Sequence, residues 1–334
     1  MKSSVIGGGS WGTALASVLA SKGPVTLWAR EPDVAAGINT NHRNPRYQTD
    51  CELPENVVAT TELRTAVAGA ELVCVVVPSH AMRAVIGGVS DMLLPGVPIV
   101  SASKGIENQS LQTMEEVLCD VLPPALWVDL AFLSGPSFAR ETLQKMATAV
   151  TVAARFGHTA KSVQAAFSTP NFRVYTTEDV TGVELGGALK NVVAIAAGIA
   201  TGMGLGHNSM AALLTRGLAE ITRLAVKLGA NPLTLSGLAG MGDLVLTCTG
   251  GLSRNRHVGV ELGKGRTLEA ILGEMNEVAE GVRTTRSAYN LARREGVEMP
   301  ITEQVYAVLY EQKSPAQALS DLMTRDLKRE REFG

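Results

Sequence analysis

The start of the chain holds the pattern that most restricts the fold. A short run typical of a strand, Ser3–Ile6, leads straight into GGGSWG at residues 7–12, and a helical pattern follows. The GxGxxG pattern is weak by itself, but a strand before it and a helix after it are the context of a dinucleotide-binding βαβ unit. There Gly7 makes the tight turn, Gly9 lets the backbone approach a pyrophosphate, and Gly12 lets the helix pack closely on the strand. A purely structural glycine turn is the alternative interpretation.

Short apolar segments recur through the first half of the chain and alternate with helical patterns. Such alternation predicts βαβ units and a mostly parallel sheet. The segment Glu71–Val77 is apolar almost throughout, as expected of a strand that is buried on both faces. The predicted strands are Ser3–Ile6, Pro24–Trp28, Val57–Thr60, Glu71–Val77, Val97–Ser101, Leu130–Leu133, Thr148–Ala153 and Phe172–Tyr175.

The character of the sequence changes after about Thr181, where long helical patterns dominate. We therefore predict an α/β domain over residues 1–180 that binds NAD(P), and an all-helical domain over residues 181–334 that binds substrate and carries the catalytic groups. The predicted helices of the second domain are Val183–Ala200, Ser209–Leu228, Leu268–Met275, Thr284–Glu295 and Thr302–Glu311, with a last one from Pro315.

Composition excludes several classes of partner. The net charge of −2 and an aromatic content of 4% argue against nucleic acid, which requires basic surface and stacking platforms. The four cysteines form no CxxC pair, which predicts reduced thiols in a cytoplasmic protein and no metal site. The longest uncharged stretch, from Asn191, is rich in Gly and Ala, so we expect a buried helix and no integral membrane segment.

The end of the second predicted strand bears on the choice of cofactor. NAD-specific sites usually carry an acidic residue there to bind the ribose 2′-hydroxyl, whereas this chain has Arg30, followed by Glu31. An arginine can pair with the 2′-phosphate of NADP, so we predict that NADPH is accepted and that NADH is also used. A solvated loop arginine is the alternative.

Polar residues follow three further predicted strands. Ligands of open α/β sheets bind beyond the carboxyl ends of the strands. Ser79 and His80 follow the first of these strands, Lys104 follows the second, and Ser134–Ser137 ends the third, so all three segments are placed at one crevice. A lysine at this position can reach an anionic substrate or cofactor.

The second half contains a lysine in an apolar setting. Lys190 is the only lysine or arginine between Arg173 and Arg216, and it lies in a helical segment of small apolar residues. Burial of a lysine is costly unless it has partners, and a desolvated lysine with a lowered pKa is suited to general acid–base catalysis on a carbonyl or an alcohol. A lysine that extends to the surface near the helix start is the competing interpretation.

Two segments downstream add candidates for the same chemistry. Asp243 and Thr247 are four residues apart and would share a helix face, where Asp243 would orient Lys190; a helix N-cap is the alternative for Asp243. The run Ser253-Arg254-Asn255 combines hydroxyl, guanidinium and amide groups after two glycines, which favours a phosphate monoester site over a plain basic loop.

Taken together, eight segments of the chain resemble the bacterial-type NAD(P)-dependent glycerol-3-phosphate dehydrogenases. The resemblance implies a Rossmann-like, mostly parallel sheet domain with extra strands, followed by an all-helical domain like that of 6-phosphogluconate dehydrogenase. It also implies reversible reduction of dihydroxyacetone phosphate to sn-glycerol 3-phosphate with NAD or NADP, in support of phospholipid synthesis. The segments are GGGSWGTA, VVVPSH, SASKGIE, SGPSFA, ELGGALKNVVAIAAGI, GMGDLVLTCT, GGLSRNR and VAEGVRT.

The resemblance also implies roles for individual residues. Lys190 matches the proton donor and acceptor, with Asp243 holding it in place, and Asn191 and Thr247 match accessory positions at the substrate. The implied cofactor contacts, besides the glycines, are Ser10, Trp11, Arg30, Lys104, Ala139, Arg254, Val278 and Glu280. The implied substrate contacts are Lys104, Gly135, Ser137, Lys190, Asp243, Ser253, Arg254 and Asn255.

Two other functions fit parts of the same sequence. A β-hydroxyacid dehydrogenase shares the two-domain plan and the lysine but acts on a carboxylate substrate. A non-catalytic regulator would bind NADPH and act on a partner; the presence of Lys190, Asp243 and Arg254 in a sparsely charged region argues against it. A homodimer is compatible with the helical second half.

Overall fold

The computed structural model describes residues 1–275, 279–327 and 329–330. Within these residues, eight strands form a single sheet. The strands are β1 Ser3–Ile6, β2 Val25–Trp28, β3 Val57–Thr60, β4 Leu72–Val75, β5 Ile99–Ser101, β6 Leu130–Ser134, β7 Thr148–Ala153 and β8 Phe172–Thr177. Their order is β3-β2-β1-β4-β5-β6-β7-β8, and each neighbouring pair is parallel except the antiparallel pair β6 and β7. The predicted mostly parallel sheet with extra strands is confirmed.

Helices cover both faces of this sheet, which explains why the central strands carry apolar residues on both sides. Every residue of β1, β4 and β6 is buried. The connection from β1 to β2 begins at the glycine-rich turn and continues as a helix. The helices of this half are α1 Ser10–Leu19, α2 Pro32–Asn41, α3 Leu63–Val67, α4 Met82–Gly87, α5 Met114–Val121, α6 Ala139–Leu143 and α7 Gly157–Phe167.

After β8 the described residues form helices joined by loops, with no further strand. Its central element, α8, spans Val180–Gly202 and is buried along most of its length because it carries small and apolar residues on all sides. Six helices pack against it: α9 His207–Lys227, α10 Pro232–Leu235, α11 Asp243–Thr249, α12 Arg254–Gly263, α14 Glu280–Glu295 and α15 Pro300–Tyr310. Two more pack on these helices, α13 Leu268–Glu274 on α12 and α16 Pro315–Met323 on α15.

A close crossing of α8 and α12 brings their backbones together. A Cβ atom at Gly198 would lie 2.1 Å from the carbonyl oxygen of Arg256, and one at Gly259 would lie 2.1 Å from that of Ile195. Gly202 and Gly263 repeat this arrangement one turn further along. The crossing therefore fixes where α12 begins relative to the middle of α8.

Length and hydropathy alone would allow α8 to cross a membrane. Of its most apolar window, 83% is buried inside the protein, as expected of a core helix. Among the described residues there is one other candidate for a membrane span, the bent pair of segments Pro232–Thr249 and Arg254–Gly263. It is long and apolar enough only if the two segments are counted as one span.

Candidate active site

A cleft of about 760 Å³ opens between the carboxyl ends of the strands and the helical half. The glycine-rich turn lines one part of it, and residues of α8, α11 and α12 line another. Such a position, beyond the strand ends and between two units, is where α/β proteins bind ligands.

The glycine-rich turn has the geometry that a dinucleotide requires. Gly7 has a φ of +129°, and a Cβ atom there would lie 2.5 Å from the carbonyl oxygen of Val76. At Gly12 a Cβ atom would lie 1.8 Å from the carbonyl oxygen of Gly7, which shows how closely α1 approaches the turn that follows β1. At Gly9, by contrast, no atom of the described residues lies within 4 Å of the Cβ position.

The amino end of α1 opens onto this space. Gly9 occupies its N-cap position and, as a glycine, offers no side-chain cap. The backbone N–H groups at a helix amino end, with the helix dipole behind them, attract anionic groups. The turn therefore fits a pyrophosphate and, with it, NAD or NADP.

Lys190 projects from α8 into the cleft and is buried, with 8% of its side chain exposed. Its ammonium group donates hydrogen bonds to Oδ1 of Asp243 and, at 2.8 Å, to Oγ1 of Thr247. Asp243 and Thr247 lie one turn apart on α11, so the shared face expected from their spacing holds the lysine. The alternative interpretation, in which Lys190 extends to the surface, is therefore wrong.

The same carboxylate also binds a second lysine. Lys104, which follows β5, donates a hydrogen bond from Nζ to Oδ2 of Asp243 at 2.6 Å and approaches the carbonyl oxygen of Gly135 at 3.5 Å. Asp243 is only 1% exposed, so two cations and one anion meet in a largely water-free place. The sheet and the helical half each supply one of the two lysines.

Burial lowers the pKa of Lys190 from 10.5 to about 8. Asp243 opposes this shift, and the positive charge of Lys104 adds to it. A group with a pKa close to the working pH can both give and take a proton, which is the property required of a general acid–base.

The start of α12 faces the cleft with polar groups. Ser253 occupies the N-cap position, where its hydroxyl accepts a hydrogen bond from the backbone N–H of Arg256 at 3.2 Å. Arg254 and Asn255 follow and also line the cleft. The side-chain oxygen of Asn255 accepts from the backbone N–H of Gly281 at 2.9 Å, which orients its amide group. Helix terminus, hydroxyl, amide and guanidinium together fit a phosphate group.

Two further charged residues from the sequence prediction, Arg30 and Glu280, line the cleft. Arg30 lies at the end of β2 with 82% of its side chain exposed, and its guanidinium pairs with Glu31 at 2.7 Å. Glu280 begins α14; burial raises its pKa, while the nearby charges of Arg254 and Lys104 and the backbone N–H of Ser79 lower it.

The structure brings nearly all sequence-predicted site residues to this one cleft. Gly135 is not among the lining residues, because it lies behind Lys104 with a φ of +143° and contacts it through its carbonyl oxygen. Val278 lies outside the described residues. The predicted residues that line the cleft are Gly7, Gly9, Ser10, Trp11, Gly12, Arg30, Lys104, Ser137, Ala139, Lys190, Asn191, Asp243, Thr247, Ser253, Arg254, Asn255 and Glu280.

Other lining residues were not predicted from the sequence. Leu246 lies three residues after Asp243, so helical spacing would have placed it on the same face. Tyr47 and Gln48 come from the irregular segment between α2 and β3, where no periodic pattern signals their position. Phe138 lies next to two predicted residues and forms part of the wall between the glycine-rich turn and α11.

Comparison with known families covers most of the chain. Residues 2–160 match the family described as NAD-dependent glycerol-3-phosphate dehydrogenase N-terminus, and residues 179–320 match the family described as its C-terminus.

Individual relatives agree with this match. The chain is 58% identical to glycerol-3-phosphate dehydrogenase [NAD(P)+] of Myxococcus xanthus, with 99% of each chain covered. It is 56% identical to the protein of the same name from Geobacter sulfurreducens, with 98% of each covered. The crystal structure of glycerol-3-phosphate dehydrogenase from Coxiella burnetii superposes with a TM-score of 0.91 at 38% identity, over 97% of this chain and 99% of that one.

Proposed function

Because the chain belongs to the family of NAD-dependent glycerol-3-phosphate dehydrogenases, we propose that its cleft binds NAD(P)H along the glycine-rich turn and dihydroxyacetone phosphate beside Lys190. The chain is an oxidoreductase that catalyses the reversible reduction of dihydroxyacetone phosphate to sn-glycerol 3-phosphate with NADH or NADPH. The observation that supports the residue roles best is the buried pairing of Lys190 with Asp243 in the same cleft as the turn.

Lys190 is the proton donor in this proposal. The chemistry that a bound nicotinamide supplies is a hydride for carbon 2 of the ketone. Lys190 donates a proton from Nζ to the oxygen on that carbon, which leaves an alcohol and a neutral amine; in the reverse direction the amine takes the proton back. Of the three N–H groups of the ammonium, Asp243 and Thr247 take two, and we assign the third to the substrate oxygen.

Arg254, Asn255 and Ser253 bind the phosphate group at the start of α12, and Lys104 and Ser137 complete its surroundings from the sheet side. A phosphate held there fixes the distance of the carbonyl from Lys190. Binding energy from this remote group is then used to orient the reacting carbon.

Ser10, Trp11 and Ala139 contact the dinucleotide near the turn, and Arg30 meets the 2′-phosphate of NADPH. Glu31 competes with that phosphate for Arg30, which agrees with use of both cofactors. On the resemblance we also propose the contact of Glu280 with the cofactor, the contact of Asn191 with substrate, and the division into residues 1–180 and 181–334.

The setting of the enzyme is also a proposal. The four cysteines carry free thiols, which supports action in the cytoplasm, where the product would feed phospholipid synthesis. The helical half supports a homodimer.

A substrate panel tests the assignment. With NADPH in excess, loss of reduced nicotinamide absorbance is expected with dihydroxyacetone phosphate and not with unphosphorylated dihydroxyacetone or a three-carbon 3-oxo acid at the same concentration. Equal rates with the oxo acid would favour a β-hydroxyacid dehydrogenase. Binding of NADPH without turnover of any ketone would favour a regulator; family membership and the paired lysine disfavour both.

A further inference from the structure

Asn44 is fully buried next to the glycine-rich turn, makes four hydrogen bonds and belongs to none of the groups assigned so far. Its amide donates hydrogen bonds to the carbonyl oxygen of Gly8 and to Oγ1 of Thr13, both at 2.9 Å. Its Oδ1 accepts from the backbone N–H groups of Arg46 at 3.1 Å and Tyr47 at 3.0 Å. A primary amide has two donors and one acceptor oxygen with two lone pairs, so this capacity is filled.

The two donated bonds act on the glycine-rich turn. In a trans peptide the C=O and the following N–H point in opposite directions. The peptide between Gly8 and Gly9 is trans, so holding the Gly8 oxygen on Asn44 directs the Gly9 N–H away from Asn44. The carbonyl is thereby kept from turning toward an anion bound at the open face of Gly9.

The two accepted bonds act on the segment between α2 and β3. They close a turn that starts at Asn44 and places Tyr47 and Gln48 in the wall of the cleft. Gln48 has a φ of +58°, a left-handed conformation that residues other than glycine adopt only when their surroundings enforce it. Its Nε2 lies 3.5 Å from Oγ of Ser10, at the start of α1.

The far end of this segment is also tied down. Asp50 pairs with Arg140, which follows the predicted cofactor residue Ala139, at 2.6 Å. Gln48 therefore lies on a segment that is anchored by Asn44 on one side and by Arg140 on the other.

We propose that Asn44 is a positioning residue for the pyrophosphate of the dinucleotide: its one amide fixes both the Gly8–Gly9 peptide and the Gln48 segment that flank the amino end of α1. This inference rests on the proposed dinucleotide site. Asn44 itself does not contact the ligand. It acts on the phosphates by two routes, through the Gly8–Gly9 peptide and through Gln48.

The test compares Asn44→Ala with a matched control. Asn39 on α2 braces the same half of the protein through two hydrogen bonds to the backbone of Ala59, away from the cleft. The dissociation constants of NADPH and of ADP-ribose, which has the pyrophosphate but no nicotinamide, are measured together with the melting temperature and the KM for dihydroxyacetone phosphate.

We expect Asn44→Ala to weaken NADPH and ADP-ribose by about tenfold each, with the KM for the ketone changed by less than about twofold. Asn39→Ala should lower the melting temperature to a similar extent while both ligands bind as in the wild type. If Asn44→Ala bound both ligands like Asn39→Ala, the inference would be wrong, because the bonds would then be merely structural.

Gln48→Ala gives a second test that does not depend on the folding of the Asn44 variant. It should weaken ADP-ribose severalfold, and its effect combined with Asn44→Ala should be smaller than the product of the two single effects, because both act on one segment. Unchanged binding by Gln48→Ala, or independent effects, would contradict the inference. Failure of the wild type to bind ADP-ribose would instead overturn the dinucleotide site itself.

Discussion

A single carboxylate that holds two lysines determines the chemistry of the site at the scale of residues. Desolvation lowers the pKa of Lys190, and the negative charge of Asp243 opposes this shift. Lys104 shares this carboxylate, and its positive charge lowers the pKa of Lys190 further. The resulting pKa of about 8 lets the same lysine act in both directions of the reaction.

The pH dependence of the reaction follows from this arrangement. Reduction needs protonated Lys190, so its kcat/KM should be level at neutral pH and fall as pH rises through about 8. Oxidation of glycerol 3-phosphate needs the neutral amine, so its kcat/KM should rise over the same range. Both profiles are obtained from initial rates at low substrate concentration.

Asp243→Asn is the control for the sign of this effect. Because Asp243 raises the pKa of Lys190, its removal should move the descending limb of the reduction profile to lower pH, together with a lower rate. A limb that stays near 8 in this variant would assign the titration to another group.

Arg254→Ala tests the phosphate site. The loss of a charged hydrogen-bonding partner costs about 1.5–3 kcal/mol, so the KM for dihydroxyacetone phosphate should rise by roughly ten- to a hundredfold. The rate with a high concentration of unphosphorylated dihydroxyacetone should change little. Arg256→Ala, two residues along the same helix and directed to Thr201, should leave the KM unchanged. An equal loss with both ketones would contradict the phosphate assignment.

At the scale of elements, the crossing of α8 and α12 positions the start of α12, where we propose that the phosphate binds. Glycines at the contact let the two backbones touch. A methyl group added to one of these glycines would collide with the backbone of the other helix, so that helix would have to move. Arg254 and Asn255 lie at the near end of α12 and would move with it.

Gly259→Ala should therefore impair both stability and substrate binding. Overpacking at such a contact costs about 1–3 kcal/mol of unfolding free energy, and the KM for the phosphorylated ketone should rise as α12 shifts. Gly273→Ala, on α13 where no described atom lies within 4 Å of the Cβ position, should be neutral or slightly stabilising. Denaturant unfolding and steady-state kinetics measure the two effects. Equal behaviour of the two variants would contradict the role of the crossing.

A buried carboxylate caps α15 from a neighbouring helix. Glu220 on α9 accepts hydrogen bonds from the backbone N–H groups of Ile301 at 2.7 Å and Thr302 at 3.3 Å, at the amino end of α15. Burial raises its pKa from 4.5 to about 7, although these two N–H groups oppose the shift.

The stability of the protein should therefore depend on pH through Glu220. Between pH 4.5 and about pH 7, Glu220 keeps its proton in the folded protein and loses it in the unfolded chain. Its contribution to the free energy of unfolding is therefore largest at low pH and is lost as the pH rises through about 7. Glu220→Gln should flatten the fall in melting temperature over this range. Glu269→Gln, on exposed α13, should retain the wild-type dependence; an unchanged slope in Glu220→Gln would contradict the assignment.

The strands were predictable because continuous apolar runs report burial directly, and each predicted strand lies within three residues of its observed bounds. Helices α10 and α12 were not among the predicted helices. Helix α10 is a single turn, too short to show a period, and α12 begins with the polar run Arg254-Asn255-Arg256 and contains two glycines. The crossing of α8 and α12 depends on which glycines meet, and a sequence does not state that. The hydrogen bond from Lys104 to Asp243 joins residues that are far apart in the chain, so it could not be predicted from the sequence either.

At the scale of the whole molecule, the site exists only where two halves meet. The sheet contributes the glycine-rich turn and Lys104, and the helices contribute Lys190, Asp243 and the start of α12. Contacts outside the cleft also join the halves, including a hydrogen bond from the Ser287 hydroxyl on α14 to the carbonyl oxygen of Ile106 at 3.2 Å. A ligand that spans the cleft should therefore stabilise both halves together.

The kinetics of Lys190→Ala, with NADPH affinity measured on the same preparation, test the central claim most directly. Removal of a positioned acid–base group costs about 10²–10⁴-fold in rate, so the kcat for dihydroxyacetone phosphate should fall by that factor while the dissociation constant of NADPH stays within about twofold. Lys227→Ala, an exposed lysine on α9, should match the wild type in both respects. A Lys190→Ala enzyme that kept near-normal kcat would contradict the account, because the proton would then come from elsewhere.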